Sequence, residues 1–409
     1  MAPEKISVRC CVAGGGPAGM MLGYLLARAG VEVLVLEKHG DFLRDFRGDT
    51  IHPSTLEMMH ELGLLDEFLK LPHQKVYELN AQVGETRLTI ADFRHLPTHC
   101  GFVAFMPQWD FLNFLAEKAA RCPSFNLMME AEVTGLIEEP GRVTGVRAKT
   151  SNGDIEVCAD LVVGADGRSS IVREKAGLQV KEFGAPMDVL WFRLRRTPED
   201  PAATMGRFDT GRIFIALNRG DYWQCGYVIP KGQFDEMRRQ AFETFRGAIV
   251  KLAPYARDSV HELRGWDDVK LLTVRVDRLL DWFRPGLLCI GDAAHAMSPV
   301  GGVGINLAIQ DAVAAANGLF KPLREGRVVI DQLRRVQKRR QLPTRVTQWL
   351  QVAVQRRIIA RVLVETGPLK PPLAVRLLAR IPFLRRIPAR IVGLGIRPEH
   401  VSPELLHAP

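Results

Sequence analysis

A strand, a glycine-rich turn and a helix in close succession constrain the fold of this chain more than any other feature. Residues 6–13 form a short β-rich run, and residues 20–30 carry the helical pattern MMLGYLLARAG. A second apolar run, VEVLVL at residues 31–36, follows directly. This order predicts a βαβ unit, in which two parallel strands are joined by a helix packed on the sheet.

The turn inside this unit carries the spacing G-x-G-x-x-G at Gly14, Gly16 and Gly19. Glycines at this spacing allow a tight turn, a close approach of the backbone to a pyrophosphate, and close helix–strand packing. The phosphates then lie at the helix N-terminus, where N–H groups are unpaired. Glu37, at the end of the second strand, is placed to bind ribose hydroxyls. Together these features predict a dinucleotide site.

A second motif, ADLVVGADGRSSIVR, occupies residues 159–173. An apolar strand at residues 161–163 leads to a turn containing Asp166 and Gly167, and a helix is predicted to begin near Ser169 or Ser170. In isolation, an Asp-Gly turn capped by serine is a common structural device. Its position between two other nucleotide motifs favours a functional role.

The third motif, residues 287–311, runs from a buried strand through Gly291-Asp292 and a Pro/Gly-rich loop into a helix predicted to begin at Asn306. Asp292 is placed to bind a chain of hydroxyls. The loop glycines let backbone approach a flat ligand, and the helix N-terminus favours negative charge there. Such an arrangement suits a ring that becomes negative when it is reduced, so we interpret it as the floor of a flavin site.

The middle of the chain has a different character. Residues 76–107 alternate apolar and polar positions, and residues 187–277 contain aromatic-rich β-like runs followed by helical patterns at 233–245 and 248–256. The fold class predicted is α/β: a Rossmann-like FAD-binding domain interleaved with an antiparallel β-sheet substrate domain, plus a helical C-terminal tail. The predicted boundaries are 1–75, 101–180 and 281–330 for the FAD-binding domain, 76–100 and 181–280 for the substrate domain, and 331–409 for the basic C-terminal region.

The net charge of +9 is concentrated near the C-terminus. Residues 331–397 contain sixteen Lys or Arg against two acidic residues, a net charge of +14 that leaves −5 for the rest. This distribution does not favour general nucleic-acid binding. The tail is interpreted as a helical cap with solvated arginines, and peripheral membrane contact through RLLARIPFLRRIPARIVGLGIR is the alternative.

The compartment predicted is the cytoplasm. The seven cysteines are odd in number and scattered, without metal-ligand spacing, which favours reduced structural thiols and no metal site. The N-terminal apolar run is too short for a signal peptide, and no uninterrupted run of roughly 20 apolar residues is present.

The three motifs, in this order, resemble the flavoprotein hydroxylases of the p-hydroxybenzoate hydroxylase type over about residues 6–320. The resemblance implies an FAD-dependent monooxygenase that uses NAD(P)H as a transient co-substrate and dioxygen. It would hydroxylate or epoxidise a hydrophobic, aromatic or polycyclic small molecule through a flavin hydroperoxide. Cofactor-binding residues implied by position are Gly14, Gly16, Pro17, Ala18, Gly19, Glu37, Lys38, Arg47, Gln108, Asp166, Gly167, Asp292, Pro299, Gly302, Gly304, Ile305 and Asn306.

The sequence is also compatible with other functions. One is a flavin-dependent reductase or dehydrogenase of an isoprenoid-like lipid on the same scaffold, and another is a non-catalytic flavin redox sensor. A halogenase is disfavoured because the motif GWxWxIP is absent. No catalytic base is predicted: His295 is more typical of a structural residue, and Tyr222 and Tyr227 are candidate substrate-polarising groups for which sheet core is the favoured interpretation.

Overall fold

The computed structural model describes residues 3–43, 50–201 and 204–407, and within them the chain is a mixed α/β protein, which confirms the predicted class. Strands β1 to β20 span Glu4–Ala13, Val33–Leu36, Thr50–Ile51, Gln74–Val76, Glu78–Val83, Thr86–Asp92, Val103–Phe105, Phe125–Met128, Glu132–Glu139, Arg142–Thr150, Gly153–Gly164, Val180–Glu182, Met187–Arg195, Met205–Asp209, Arg212–Asn218, Tyr222–Pro230, Lys270–Leu272, Asp277–Leu279, Phe283–Arg284 and Leu287–Cys289. Helices α1 to α13 span Pro17–Arg28, Pro53–Glu61, Leu65–Phe68, Gln108–Ala119, Ile171–Lys175, Phe234–Arg238, Phe242–Leu252, Gly304–Arg324, Ile330–Val354, Ala360–Val364, Leu373–Arg380, Arg386–Gly393 and Pro403–Leu406.

The larger sheet has the strand order β19-β20-β11-β1-β2-β8, extended beside β11 by the antiparallel strands β10 and β9. Strands β20, β11, β1, β2 and β8 run parallel. Every residue of β2 and β20 is buried, as expected for parallel strands covered on both faces. Helix α1 joins β1 to β2, so the predicted βαβ unit is confirmed.

The second sheet has the order β17-β13-β16-β15-β14-β5-β6 and is antiparallel except where β14 pairs with β5. Its two faces enter different apolar clusters. Phe192, Phe214 and Tyr227 pack with α7, whereas Val189 and Val228 pack with the C-terminal segment that contains α10. The sheet is therefore enclosed on both sides.

The helical predictions over residues 233–256 are wrong in their boundaries. The break falls at residues 239–241, between α6 and α7, and α7 ends at Leu252. The break occurs because Ala241 has a non-helical backbone. Helix α7 ends where it does because Pro254, two residues after Leu252, has no N–H to continue the helical hydrogen bonds. The resulting α7 turns Phe245, Ile249 and Leu252 toward the sheet.

Helix α8 lies in the core. The segment Val300–Arg324, which is α8 with the turn before it, is long and apolar enough to cross a membrane, but 83% of its apolar window is buried. A core helix passes the same test of length and composition. Helix α8 starts at Gly304, two residues earlier than predicted, so its N-terminus lies inside the glycine-rich loop.

Candidate functional site

The three motifs meet at the carboxyl ends of β1, β11 and β20. Ala165 N donates a hydrogen bond to Ala13 O at 2.8 Å, and Ile290 N donates to Gly164 O at 2.9 Å. A Cβ added to Gly14 would lie 2.4 Å from Ala165 O, so the first glycine turn touches the Asp-Gly turn. Ligand sites of open α/β sheets form at this edge.

The glycines of the first turn differ in what surrounds them. A Cβ on Gly19 would lie 1.9 Å from Gly14 O, so this position is closed by the protein itself. A Cβ on Gly16 would meet no atom of the described residues within 4 Å, so they leave the space beside it open. Gly16 is also the N-cap of α1 and makes no side-chain cap. The open space and the N–H groups of the first helical turn fit a pyrophosphate.

Glu37 is buried beside this turn with 8% of its surface exposed. Its Oε2 accepts from Gly15 N at 2.8 Å, and its Oε1 accepts from His39 N at 3.1 Å. These bonds hold the carboxylate in a fixed orientation at the end of β2. Lys38 is exposed next to it, and Arg47 lies outside the described residues.

Asp166 caps the helix that follows it. Its Oδ2 accepts from Val172 N at 3.1 Å, and Ser170 Oγ accepts from Arg173 N at 3.0 Å. Burial raises the pKa of Asp166, although hydrogen bonds from Ser170 and Val172 oppose the change. Gly167 has a φ of +82°, and no described residue lies within 4 Å of where its Cβ would be, so this turn leaves room for a ligand.

Asp292 carries a partner that sequence reasoning missed. Arg168 Nε lies 3.0 Å from Asp292 Oδ2, and both side chains are partly exposed, at 26% and 29%. Arg168 also reaches Met297 O at 3.5 Å. The only local signal is a basic residue directly after Asp-Gly. A carboxylate has about four acceptor sites, so the pair leaves Asp292 able to bind hydroxyls as well.

The loop from Pro299 to Asn306 requires its glycines. Gly301 and Gly302 have φ values of +80° and +63°, and Thr50 Oγ1 donates to Gly302 O at 3.0 Å. Helix α8 has Val303 as its N-cap without a side-chain cap, so the N–H groups of Gly304 and Ile305 begin the helix uncapped by any side chain. A negative charge beside this end is stabilised by the helix dipole.

The side chain of Asn306 is used within the protein. Its Oδ1 accepts from Thr55 Oγ1 at 2.7 Å and from His52 N at 3.0 Å, and its Nδ2 donates to Thr50 O at 3.2 Å. This side chain therefore ties α8 to β3 and α2. Asn306 would therefore contact a cofactor through its backbone.

Gln108 lies at the first position of α4, three residues after the end of β7. Strand β7 pairs with β3 so that Phe105 stands opposite Thr50, the residue that binds Gly302. This pairing brings the start of α4 near the loop. Among the described residues, no hydrogen bond joins Gln108 to the glycine motifs.

A row of glutamines on α9 and in the turn directly after it supports the loop from behind, and no sequence pattern predicts this row. Gln351 Nε2 donates to Ser298 O at 3.0 Å and to Val300 O at 2.9 Å, and Gln355 Nε2 donates to Ser298 Oγ at 2.7 Å. Gln348 Nε2 donates to Ala296 O at 3.2 Å. The C-terminal region therefore fixes the backbone that leads into Pro299.

His295 belongs to a buried charged network rather than to an open surface. Its Nε2 lies 2.6 Å from Asp311 Oδ2, which also accepts from Gly291 N at 3.1 Å. Arg340 Nε donates to Asp311 Oδ1 at 2.9 Å, and Arg340 Nη1 donates to Glu399 Oε1 at 3.2 Å. Burial alone raises the pKa of Asp311, but His295 and Arg340 outweigh it and hold the pKa below its usual range. This network positions the Gly291-Asp292 turn, which favours a structural role for His295.

The two tyrosines also lie in structural surroundings. Tyr227 packs 5.4 Å from the ring of Phe245 on the α7 face of the second sheet, and burial raises its pKa. Arg193 lies over the ring of Tyr222 at 5.0 Å. This placement favours the sheet-core interpretation for Tyr227.

His52 gives the region around the loop a predicted pH dependence. Its Nδ1 lies 2.7 Å from Val392 O, and burial lowers its pKa to about 4. The His52 imidazole is protonated near pH 6.5 in the unfolded chain, but only near pH 4 in the folded protein. We expect His52 to contribute a fall of up to about 3 kcal/mol in the free energy of unfolding from pH 6.5 to 4. Denaturant titrations at a series of pH values measure it.

The variant His52→Gln should flatten that pH dependence, because its amide can donate to Val392 O without titrating. Exposed His261 offers a matched control, since His261→Gln should keep the wild-type slope. A wild-type slope in His52→Gln would contradict the assignment.

Comparison with known proteins agrees with this geometry. A family model described as "FAD binding domain" matches residues 7–349. A 6-methylpretetramide 4-monooxygenase from Streptomyces rimosus is 32% identical over 386 residues, 93% of this chain and 91% of that protein. An anhydrotetracycline hydroxylase from Streptomyces rimosus superposes with a TM-score of 0.75 at 23% identity, covering 98% of this chain and 78% of that one. A probable FAD-dependent monooxygenase from Pseudomonas aeruginosa gives a TM-score of 0.74 at 22% identity over 87% of this chain and 98% of the other.

Proposed function

The chain belongs to the FAD binding domain family and is an FAD-dependent monooxygenase of the p-hydroxybenzoate hydroxylase type, and we propose that it transfers one oxygen atom from dioxygen to a polycyclic aromatic substrate. The observation that carries the proposal is the meeting of three motifs at one sheet edge: open space beside Gly16, an acid at Asp292, and a glycine loop that enters α8. The reductant proposed is NAD(P)H, bound transiently.

The chain's residues have distinct tasks in this proposal. The turn at residues 14–19 holds the pyrophosphate, Glu37 holds the adenosine ribose, and Asp292 accepts from the ribityl chain. The flavin supplies the redox chemistry and the activation of dioxygen. The backbone N–H groups of Gly304 and Ile305 would stabilise negative charge on the flavin ring when FAD is bound and reduced. The remaining predicted ligands, including Gln108 and Pro299, are assigned to the same cofactor.

The second sheet is proposed to roof the substrate cavity. Val300 of the flavin loop packs against the cluster that contains Val189 and Val228, so that face of the sheet lies close to the loop. Trp191 packs against the same cluster and remains partly exposed. An aromatic wall beside an apolar sheet face suits a flat, fused-ring molecule. The relative named for 6-methylpretetramide supports the same substrate class.

This proposal divides the chain as the motifs predict. Residues 1–75, 101–180 and 281–330 form the FAD-binding domain, interleaved with a substrate domain of residues 76–100 and 181–280. The C-terminal region, 331–409, completes the FAD-binding domain, as the contacts of Gln351 with the loop support. We propose a cytoplasmic enzyme.

Two alternatives are less well supported. A reductase of an isoprenoid-like lipid would use the same cofactor site, but the monooxygenase relative matches nearly the whole chain. A non-catalytic redox sensor would have no use for a seven-stranded sheet over the loop.

The test combines NAD(P)H consumption with isotope incorporation. FAD-loaded enzyme is given a panel of fused-ring aromatic compounds under labelled dioxygen, and products are examined by mass spectrometry. We expect substrate-stimulated consumption and one labelled oxygen atom per product. Reduced product without label would favour the reductase, and consumption that no compound stimulates, with no labelled product, would reject the hydroxylase proposal.

A further inference from the structure

Two short helices near the C-terminus expose large apolar side chains. On α11 the exposed fractions of Leu373 and Leu377 are 82% and 52%. In the following turn and α12, those of Phe383 and Ile387 are 65% and 55%. We call α11, the turn and α12 the exposed hairpin. These four apolar side chains are mostly exposed and lie close together in sequence. Single apolar residues scattered over a surface are common, whereas a group of exposed ones calls for an explanation.

The exposed hairpin is also strongly basic. Its residues, 373–393, include five Arg and no Asp or Glu. Arg376, Arg380 and Arg386 are exposed between the apolar residues, and the Arg386 guanidinium lies 5.2 Å from the ring centroid of Phe383. One surface therefore presents apolar groups and positive charge together.

The hairpin is held firmly to the fold. Arg385, at the end of the turn, donates to the carbonyls of Leu378 at 3.1 Å and Ala379 at 2.5 Å, which joins the turn to α11. On its inner side Ala389 is fully buried, and a Cβ on Gly393 would lie 2.7 Å from the side chain of Leu96. The exposed face therefore keeps a fixed orientation.

The anchored end of the hairpin reaches the flavin loop. Val392 packs against Val303 of that loop and against Met297 and Leu307 on either side of it. Gln310 on α8 donates to Leu394 O at 3.3 Å. A surface bound by the hairpin would therefore lie near the proposed cofactor site.

We propose that the exposed hairpin binds the surface of an anionic lipid bilayer, with Leu373, Leu377 and Phe383 entering the interface. Positive charge without any acid in the segment favours an anionic partner, and protruding apolar side chains gain free energy only where they leave water. A fluid bilayer accepts protruding side chains without a complementary shape, whereas a folded protein partner would need a matching cavity. The membrane contact is independent of the proposed substrate.

Vesicle co-sedimentation of the FAD-loaded full chain tests the proposal without measuring turnover. We expect binding to vesicles of phosphatidylcholine with phosphatidylglycerol, and weak binding to phosphatidylcholine alone. The variant Arg376→Gln/Arg380→Gln/Arg386→Gln should bind at least ~10-fold less, since each cation contributes to attraction near the surface. A matched control, Arg257→Gln/Arg264→Gln/Lys338→Gln, removes three exposed cations elsewhere and should bind like the wild type.

A reporter variant covers the case in which the triple variant misfolds. Phe383→Trp should show quenching of its added fluorescence by brominated lipid in anionic vesicles. The absence of both sedimentation and quenching would overturn the proposal, as would equal binding to neutral vesicles. Concentration-dependent self-association that the triple variant loses, without vesicle binding, would assign the surface to a second copy of the chain instead.

Discussion

Replacing Gly16 by valine is expected to weaken FAD binding on the order of 100-fold, about 2.7 kcal/mol, while the apoprotein stays folded. The reason lies in the contrast between the glycines of the first turn. Within the part of the chain that the structure describes, a Cβ on Gly16 meets no atom within 4 Å. The φ of −72° suits any residue, so the fold tolerates a side chain there. The pyrophosphate would occupy that same space. FAD affinity by fluorescence titration and apoprotein stability by urea denaturation give the two required measurements.

Gly135 provides a matched control for this prediction. The described residues also leave open space where its Cβ would be, but Gly135 lies within β9, away from the motifs. Gly135→Val should retain full FAD binding. Gly19→Val should instead lose the fold, because its Cβ would lie 1.9 Å from Gly14 O. If Gly16→Val binds FAD like the wild type, the pyrophosphate does not lie against this turn.

The sequence predicted the parts of the site that depend on local chain geometry. The βαβ unit follows from apolar runs around a glycine turn, because the period of apolar residues distinguishes strands from helices. The turn at Gly14 and the loop at Gly301 and Gly302 are recognisable from their glycines. The structure adds a reason for glycine at these positions, since their φ values are positive. The edge on which they meet follows from the rule for parallel sheets, since all three motifs come after a strand.

Partners that join distant chain segments could not be predicted in this way. Arg168 pairs with Asp292 across 124 positions of sequence, and Gln351 reaches Ser298 from the next helix but one. The spacing of apolar residues along a helix does not show whether a glutamine on that helix is solvated or binds a loop. The face that Tyr227 occupies is likewise fixed by strand pairing, which a single sequence leaves open. Polar contacts between elements are therefore the portion of this site that required the structure.

Arg340 is the polar contact whose loss should cost the most stability. Its side chain is fully buried between two carboxylates, Asp311 at 2.9 Å and Glu399 at 3.2 Å. Replacing it by methionine keeps much of the volume but leaves both acids buried without this cation. Removing one partner of a buried ion pair costs about 3–5 kcal/mol, so we expect Arg340→Met to lower the free energy of unfolding by that amount. Urea denaturation of the FAD-loaded protein at pH 7 measures the change.

The neighbouring Arg339 gives a matched control, because it also contacts Glu399 but its side chain is 37% exposed. Arg339→Met should cost less than about 1 kcal/mol, as is usual for partly solvated pairs. The cost of Arg340→Met should shrink as the pH falls, since protonation of Asp311 removes the stranded charge. Protonation of Asp311 does not stabilise the wild type, because His295 and Arg340 stabilise the charged carboxylate and hold its pKa below the usual range. Equal losses in the two variants would contradict a buried network centred on Arg340.

The same substitution should reach the cofactor, because Asp311 also binds Gly291 N at 3.1 Å, one residue before Asp292. When Arg340 is lost, the strong partners of Asp311 among the described residues are His295 and this N–H. The turn that positions Asp292 is then less firmly held. Weaker FAD binding in Arg340→Met, partly restored in Arg340→Met/Asp311→Asn, would show that stability and cofactor affinity depend on one network. Restored stability without restored affinity would separate the two, and would leave Arg168 as the residue that positions Asp292.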